Sequence, residues 1–296
     1  MRHTPEPIVD VADAIPDFAP LARKTVRLHP RRGECANDAS KMGGEFIWPV
    51  SEPWPRCEEH DCPYLTVLQL SRSDTPELGF PKHADLFQLL WCPNDHANAE
   101  PFYAPASRAF WRRRADIQNA LASRPAVGVH DENYVPVPCV LHPERVTEFP
   151  DAGVISERLP HLWEKIESCA RLQEAITTIK EYQFSDASLL YQYWLSVADG
   201  TKVGGHPPWI QDPEIRTCQC GHEMEYLLTI ASAEFNGGTW GRWLAQEERH
   251  VWGGAYEIRN AVQCAPELML GDMGKLNYFV CRKCDGWPMT AVFQCS

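Results

Sequence analysis

Apolar residues recur every three or four positions between residues 161 and 182, which is the periodicity of one face of an α-helix. The positions in this stripe are Leu162, Ile166, Cys169, Leu172, Ile176 and Ile179. We therefore predict one helix over residues 161 to 182. Ser185 is a suitable N-cap for a second helix, which Gly200 would terminate. The apolar positions of that second helix are Leu189, Leu190, Tyr193, Trp194 and Val197.

Short apolar runs on either side of this helical region predict β-strands. They cover residues 64 to 70 and 86 to 92 before it, and residues 226 to 230 and 276 to 281 after it. Residues 135 to 149 also favour an extended chain, because three prolines interrupt a helix and three valines suit a strand. The pattern predicts an α+β fold with mainly antiparallel strands and a central helical segment.

The chain matches itself at a constant offset of 161 residues. The matching positions are Lys41, Gly43, Gly44, Trp48 and Cys57 in the first half and Lys202, Gly204, Gly205, Trp209 and Cys218 in the second. We interpret the match as an internal duplication of one unit, in which a glycine turn precedes a cysteine-bearing loop and two strands. The predicted organisation is a first β-rich unit (1–150), a helical connector (151–200) and a second unit (201–296) within one globule.

Charge and cysteine content narrow the classes of function. The formal net charge of -12 repels phosphate backbones and anionic lipids, so general nucleic-acid or membrane binding is disfavoured. No apolar stretch approaches the roughly 20 residues that span a bilayer, and we expect a cytoplasmic protein. In a reducing compartment the twelve cysteines serve as metal ligands or as small buried hydrophobic residues.

The second unit carries the strongest chemical signal, two short cysteine motifs. Cys281 and Cys284 have the C-x2-C spacing, and Cys218 and Cys220 have the shorter C-x-C spacing. Two such motifs on neighbouring hairpins supply the four tetrahedral ligands of a zinc ion. We predict a closed, structural zinc site at these four cysteines, with Gly221 allowing backbone N–H groups to turn toward the thiolates.

The first unit offers a second set of candidate zinc ligands at the matching positions. They are Cys57, His60, Cys92 and His96, with C-x2-H and C-x3-H spacings. Cys62 competes with His60 as a ligand. If His60 or His96 were not a ligand, the ion could retain a water molecule and the site could support catalysis.

Other candidate motifs are weaker. Glu247 and His250 have the Glu-x-x-His spacing of carboxylate-bridged metal sites, but a solvated run is the simpler interpretation. The sequence contains no G-x-S-x-G, P-loop or G-x-G-x-x-G pattern. The basic clusters at residues 31–32 and 112–114 could each hold one phosphate or carboxylate, or form a solvated face. Packing is the expected role of the remaining apolar-flanked cysteines, Cys139, Cys169, Cys264 and Cys295.

Several segments together resemble the YwqG-like family of bacterial proteins of unknown function. They are Lys41-Met42-Gly43-Gly44, Trp54-Pro55-Arg56-Cys57, residues 65 to 70, Lys202-Val203-Gly204-Gly205-His206-Pro207, Gln211 and Gly271-Asp272-Met273-Gly274. The resemblance covers most of the chain and implies an α+β fold built by duplication. It implies no established activity, although relatives are suspected of serving in toxin and immunity systems. This sequence departs from many members in its fuller cysteine set.

These features leave three functional hypotheses. The first is a zinc-stabilised binding protein with a protein partner, of the immunity type, whose acidic surface steers it toward a basic patch. The second is a metal-dependent hydrolase that works at the first Cys/His set. The third is a zinc-ribbon nucleic-acid binder, which the net charge opposes. The sequence favours the first and names neither partner nor substrate.

Overall fold

Two antiparallel sheets and a helical layer organise the chain in the computed structural model, which describes residues 2–97, 100–128, 130–179 and 182–296. The strands are β1 Arg23–Arg27, β2 Arg31–Arg32, β3 Lys41–Met42, β4 Leu65–Ser71, β5 Leu86–Asp95, β6 Pro105–Arg112, β7 Cys139–Val140, β8 Glu144–Glu148, β9 Lys202–Gly204, β10 Glu225–Ala231, β11 Lys275–Val280 and β12 Met289–Gln294. The α-helices are α1 Val11–Ala14, α2 Ala152–Arg158, α3 Pro160–Ser168, α4 Ala170–Thr178, α5 Ala187–Leu190, α6 Trp240–Trp243 and α7 Tyr256–Gln263. The α+β class is therefore confirmed.

Each sheet contains four strands that are neighbours in both sequence and space. One sheet has the order β2-β7-β3-β4-β5-β6, and the other has the order β12-β11-β10-β9-β1-β8. β1 and β8 therefore complete the sheet that the second half of the chain begins, while β2 and β7 complete the first. The extended stretch predicted at residues 135 to 149 holds β7 and β8, which lie in different sheets.

The β4–β5 and β10–β11 hairpins share a local irregularity. The register shifts between Thr66 and Leu68 in the first hairpin and between Tyr226 and Leu228 in the second. Leu68 and Leu228, the residues immediately after these bulges, also pair with β3 and β9, respectively. A bulge bends and twists its strand, so each hairpin bends shortly after its cysteine loop.

The helix predicted over residues 161 to 182 is two helices, α3 and α4, so that prediction was wrong in its continuity. Its positions 180 and 181 lie outside the described residues. Cys169 separates them with an extended backbone, ψ 111°. Its N–H bonds to the carbonyl of Ile166, which tightens the last turn of α3. The Ser168 hydroxyl donates to the Glu164 carbonyl at 2.7 Å, a local bond that competes with continuation of the helix.

The second predicted helix also differs from its prediction. Asp186, rather than Ser185, is the N-cap of α5, since its carboxylate accepts from the N–H of Leu189 at 2.9 Å. The helix continues as a π-helical turn, Tyr191–Leu195, and ends there instead of at Gly200. Aspartate is as good a cap as serine, and the spacing alone did not separate the two.

The apolar faces of both sheets meet in one hydrophobic cluster. It includes Val67 and Leu89 from the first sheet and Leu228 and Tyr278 from the second. A separate cluster joins the apolar sides of α2 to α5 to the amino-terminal segment around Phe18. No helix in the described ranges is both long enough and apolar enough to cross a membrane.

Candidate metal centres

The four cysteines predicted to bind zinc in the second half lie together. Cys218 and Cys220 occupy a loop closed by a bridge between Thr217 and Glu223, and Cys281 directly follows β11. The Sγ atoms of Cys218 and Cys284 are 3.7 Å apart, and those of Cys220 and Cys281 are 3.6 Å apart. Two thiolates on a tetrahedral zinc ion lie about 3.8 Å apart, because each Zn–S bond is about 2.3 Å. The side chains therefore already have the spacing that the ion requires.

Backbone geometry holds the Cys218–Cys220 loop in this shape. Gly221 has a left-handed φ of 84°, which glycine adopts without strain. Its N–H donates to the carbonyl of Cys218 at 2.8 Å, and the N–H of Cys218 donates to the carbonyl of His222 at 2.9 Å. These bonds close the turn that carries Cys218 and Cys220.

The Cys281 thiol is poised to ionise. Burial would raise its pKa, but the backbone N–H groups of Lys283 and Cys284 and the neighbouring thiols outweigh that effect and lower the pKa to about 7. A thiolate is the form that binds metal. The turn thus favours the thiolate at Cys281, while hydrogen bonding with the Cys220 and Cys218 thiols raises the pKa of Cys284 to about 12.

The first-half candidates also converge. Cys57 Sγ lies 3.2 Å from His96 Nε2 and 3.6 Å from His60 Nδ1, and Cys92 Sγ lies 3.4 Å from the same His60 nitrogen. In each of the two clusters the four donor atoms lie within 4.8 Å of one another. Two Cys/His clusters in this chain could therefore hold metal ions.

Each cluster has a fifth nearby donor. Cys62 Sγ lies 3.6 Å from Cys92 Sγ, so both Cys62 and His60 are turned toward Cys92. In the second half His222 Nδ1 lies 3.5 Å from Cys220 Sγ. Cys62 was predicted from the sequence as an alternative ligand, whereas His222 was not. The signal for His222 was available, because it follows the C-x-C motif by two residues, as Cys62 follows His60.

The hydrogen bond to His96 bears on the ligand set of the first cluster. The backbone N–H of Ala106 donates to His96 Nδ1 at 3.2 Å. A neutral ring that accepts at Nδ1 carries its proton on Nε2, the atom that faces Cys57. For His96 to bind a metal through Nε2, the ring proton must move to Nδ1 and the contact with Ala106 must lengthen. Cys62 is thus a real competitor for His96 as well as for His60.

The predicted basic clusters bind the protein's own acidic groups. Arg31 Nε donates to the Glu248 carboxylate at 2.8 Å. Arg112 binds both carboxylate oxygens of Glu52 and lies 4.1 Å from the ring of Trp48. Arginines bound in this way have fewer donors left for an external phosphate.

The remaining motifs show no metal geometry among the described residues. Glu247 accepts from the backbone N–H of His3 and from its ring, and His250 does not join it in a donor cluster. Cys139 and Cys264 are buried and Cys169 and Cys295 are partly buried. All twelve cysteines of the chain lie in the described ranges and form no disulfide with one another.

Comparison with known proteins places the chain in a family without assigning an activity. A model of a domain of unknown function, DUF1963, matches residues 40–284, which include both clusters and the glycine turns. No curated protein matches the chain. The more specific resemblance to YwqG-like proteins remains an expectation from the sequence. Because the match spans most of the chain, this protein belongs to the DUF1963 family.

Proposed function

We propose that the protein is a zinc-stabilised binding protein that carries one structural zinc ion at each cluster. The observation that supports this proposal best is the convergence of four donors within 4.8 Å at both cysteine loops. Four cysteines, or two cysteines with two histidines, are ligand sets that structural zinc prefers. The ions would hold the loops onto the hairpins that carry them.

A structural role suits the geometry better than the hydrolytic alternative. A catalytic zinc ion keeps one coordination position open for water, whereas each cluster offers four protein donors and a fifth beside them. Cys57, Cys92 and His96 are also buried, with at most 4% of each residue exposed. His60 is the exposed member of this set, so these three ligands lie on the buried side of the cluster.

We further propose that the two halves derive from one duplicated unit. Their four-strand runs have the same order, and bulges lie at matching places in their hairpins. Each cysteine loop is closed by an isolated bridge. The residue before Cys62 and the residue before His222, Asp61 and Gly221, both have positive φ. Trp48 and Trp209 pack beside their respective clusters.

The partner in this proposal is a protein, bound in the cytoplasm. The net charge of -12 would steer association toward a basic surface. A role of the immunity type in a bacterial toxin system follows from the family resemblance alone. An affinity pull-down from the native host is the experiment that would identify the partner.

Metal analysis and calorimetry test the zinc proposal. We expect two zinc ions per purified chain. Chelation, or Cys281→Ser, should lower the melting temperature strongly, because structural zinc contributes on the order of 10 kcal/mol of binding free energy in finger peptides. Cys295→Ser is the matched control, since Cys295 lies outside both clusters and should leave metal content unchanged.

Two results would contradict this function. A protein purified without stoichiometric metal, and unaffected by chelators, would remove the zinc. A chelated protein that keeps its fold but loses a hydrolytic activity would favour the enzyme instead, because loss of a catalytic metal leaves the fold largely intact.

A further inference from the structure

We propose that a cationic cleft between the two halves of the chain binds a small ligand that combines an anionic group with a flat ring, of the class of nucleoside monophosphates. The cleft is defined by Lys82, His83, Phe110, Trp111, Lys283 and Trp287. Its volume is about 550 Å³, within the range of small-molecule sites. The proposal rests on the proposed function in one respect: the zinc would hold one wall of the cleft in place.

The charges that line this cleft have the opposite sign to the protein as a whole. Lys82 and Lys283 are exposed, and their side chains have no hydrogen-bond or ion-pair partner within the described ranges. Arg113 is also exposed and without a side-chain partner in the described ranges. It lines an adjoining cleft of about 670 Å³ that Lys82 lines as well. Asp285 also lines the cleft, and its carboxylate could compete with a ligand for the two lysines. An anion is therefore the ligand that this concentration of positive charge attracts.

The arginines of the cleft are already occupied and shape it. Arg112 binds Glu52 with two donors and Gln88 with a third, at 2.8 Å. Arg282 binds Glu225 at 3.1 Å and the backbone carbonyl of Leu78 at 2.8 Å. The bond from Arg282 to Leu78 joins the two walls, and these contacts leave the lysines as the groups available to a ligand.

Aromatic rings line the cleft beside the lysines. The rings of Trp111 and Trp287 meet edge to face with centroids 5.5 Å apart, and the Arg282 guanidinium lies 4.5 Å from the Trp287 ring. Both tryptophans are partly exposed, so a planar ligand ring would stack against this aromatic lining.

The second cysteine cluster forms part of this cleft. Residues 282 to 287 contribute one wall, and Cys284 itself lies in the lining. Trp287 N–H bonds to the Cys284 carbonyl, which ties the aromatic wall to the cysteine turn. Disorder of that turn on loss of metal would displace Lys283 and Trp287 together.

The charge distribution favours a small anion over a polyanion. At physiological ionic strength, charges separated by more than about 8 Å are largely screened. A ligand held inside the cleft therefore interacts mainly with Lys82 and Lys283. A long nucleic acid would extend beyond the cleft over a surface whose net charge is -12.

Isothermal titration calorimetry of the metal-loaded full chain tests the proposal. We expect adenosine monophosphate to bind with a dissociation constant below about 1 mM. Inorganic phosphate and adenosine, which each lack one half of the recognised chemistry, should bind at least about tenfold more weakly. The double variant Lys82→Glu/Lys283→Glu should weaken nucleotide binding at least about tenfold. Lys82→Arg/Lys283→Arg, which keeps both charges, should retain it.

Arg158→Glu is the matched control. Arg158 is exposed, lies in a different cleft and has no partner in the described ranges, so its reversal should leave nucleotide affinity within about twofold. The absence of nucleotide binding at millimolar concentration in folded protein would overturn the proposal. So would equal binding of phosphate and nucleotide, or tighter binding of a single-stranded oligonucleotide. Zinc content measured on the same sample separates this failure from failure of the zinc proposal.

Discussion

At the scale of single residues, a buried ion pair between Lys202 and Glu148 lies outside the predicted metal sites. Lys202 Nζ donates to both carboxylate oxygens of Glu148 at 2.7 Å and to the carbonyl of His206 at 2.7 Å. Both side chains are fully buried. Lys202 belongs to the repeated motif in the sequence, but nothing in the sequence indicated Glu148 as its partner. Their pairing depends on the contact of β9 with β1, whose other neighbour is β8.

His206, beside this pair, makes stability depend on pH. Burial lowers its pKa to about 4, while its Nε2 hydrogen-bonds to the Leu21 carbonyl at 2.8 Å. Between pH 6.5 and 4 the unfolded chain therefore binds a proton that the folded chain excludes. The free energy of unfolding consequently decreases as the pH is lowered through this range. We expect His206→Gln, which keeps a donor but does not titrate, to remove as much as about 3 kcal/mol of this loss.

Urea unfolding of both proteins across this pH range measures the effect. The difference between variant and wild type is the informative quantity, because burial raises the pKa of Asp151 to about 6 and that group changes stability in the opposite direction. Parallel pH profiles for the two proteins would show that His206 titrates normally in the fold.

The metal ligands show what residue spacing can and cannot predict. The spacing of Cys218, Cys220, Cys281 and Cys284 was sufficient to predict a cluster that the structure brings together. In the first cluster, spacing could not choose among His60, Cys62 and His96. That choice depends on ring orientation and on the contact of one backbone N–H with His96, which only the folded chain provides.

At the scale of elements, the last residue of β9, Gly204, and the residue after it, Gly205, differ in how strictly the structure requires glycine. Both have positive φ, 67° at Gly204 and 79° at Gly205. A Cβ at Gly205 would lie 2.0 Å from a Glu148 carboxylate oxygen, whereas the nearest atom to a Cβ at Gly204 is 3.8 Å away. We expect Gly204→Ala to cost about 1–2 kcal/mol from left-handed backbone strain. Gly205→Ala should cost clearly more, because it also displaces Glu148 from Lys202.

Urea midpoints of the two alanine variants, which are matched in residue type and turn, provide the comparison. Equal losses of stability would mean that backbone conformation alone requires glycine at both positions.

Local elements were easier to predict than their partners. The apolar runs at residues 64 to 70 and 276 to 281 overlap β4 and β11, because alternation and β-branched content are properties of a short segment. The interruption of the long helix at Cys169 has no strong sequence signal such as proline or glycine. The division of β1 and β2 between two sheets depends on pairing over more than one hundred residues, which periodicity does not encode.

At the scale of the whole molecule, the second half depends on strands from the first. β9 pairs with β1, and β1 pairs in turn with β8. A fragment of residues 201–296 would retain all four cysteines of the second cluster but lose these strands and Glu148. The remaining Lys202 would then have to be buried without its carboxylate or be exposed by opening the edge of the sheet.

We therefore expect the 201–296 fragment to bind zinc without folding cooperatively. Removing one partner of a buried ion pair costs about 3–5 kcal/mol, a large share of the 5–15 kcal/mol that stabilises a typical domain. Circular dichroism during urea titration should show a broad, shallow transition for the zinc-loaded fragment and a single sharp one for residues 1–296. Addition of a separately produced 1–200 fragment should restore the sharp transition, because it returns β1, β8 and Glu148. If the isolated fragment unfolded as sharply as the full chain, its zinc and hairpins would suffice for folding. β1 and β8 would then be additions to an independent unit.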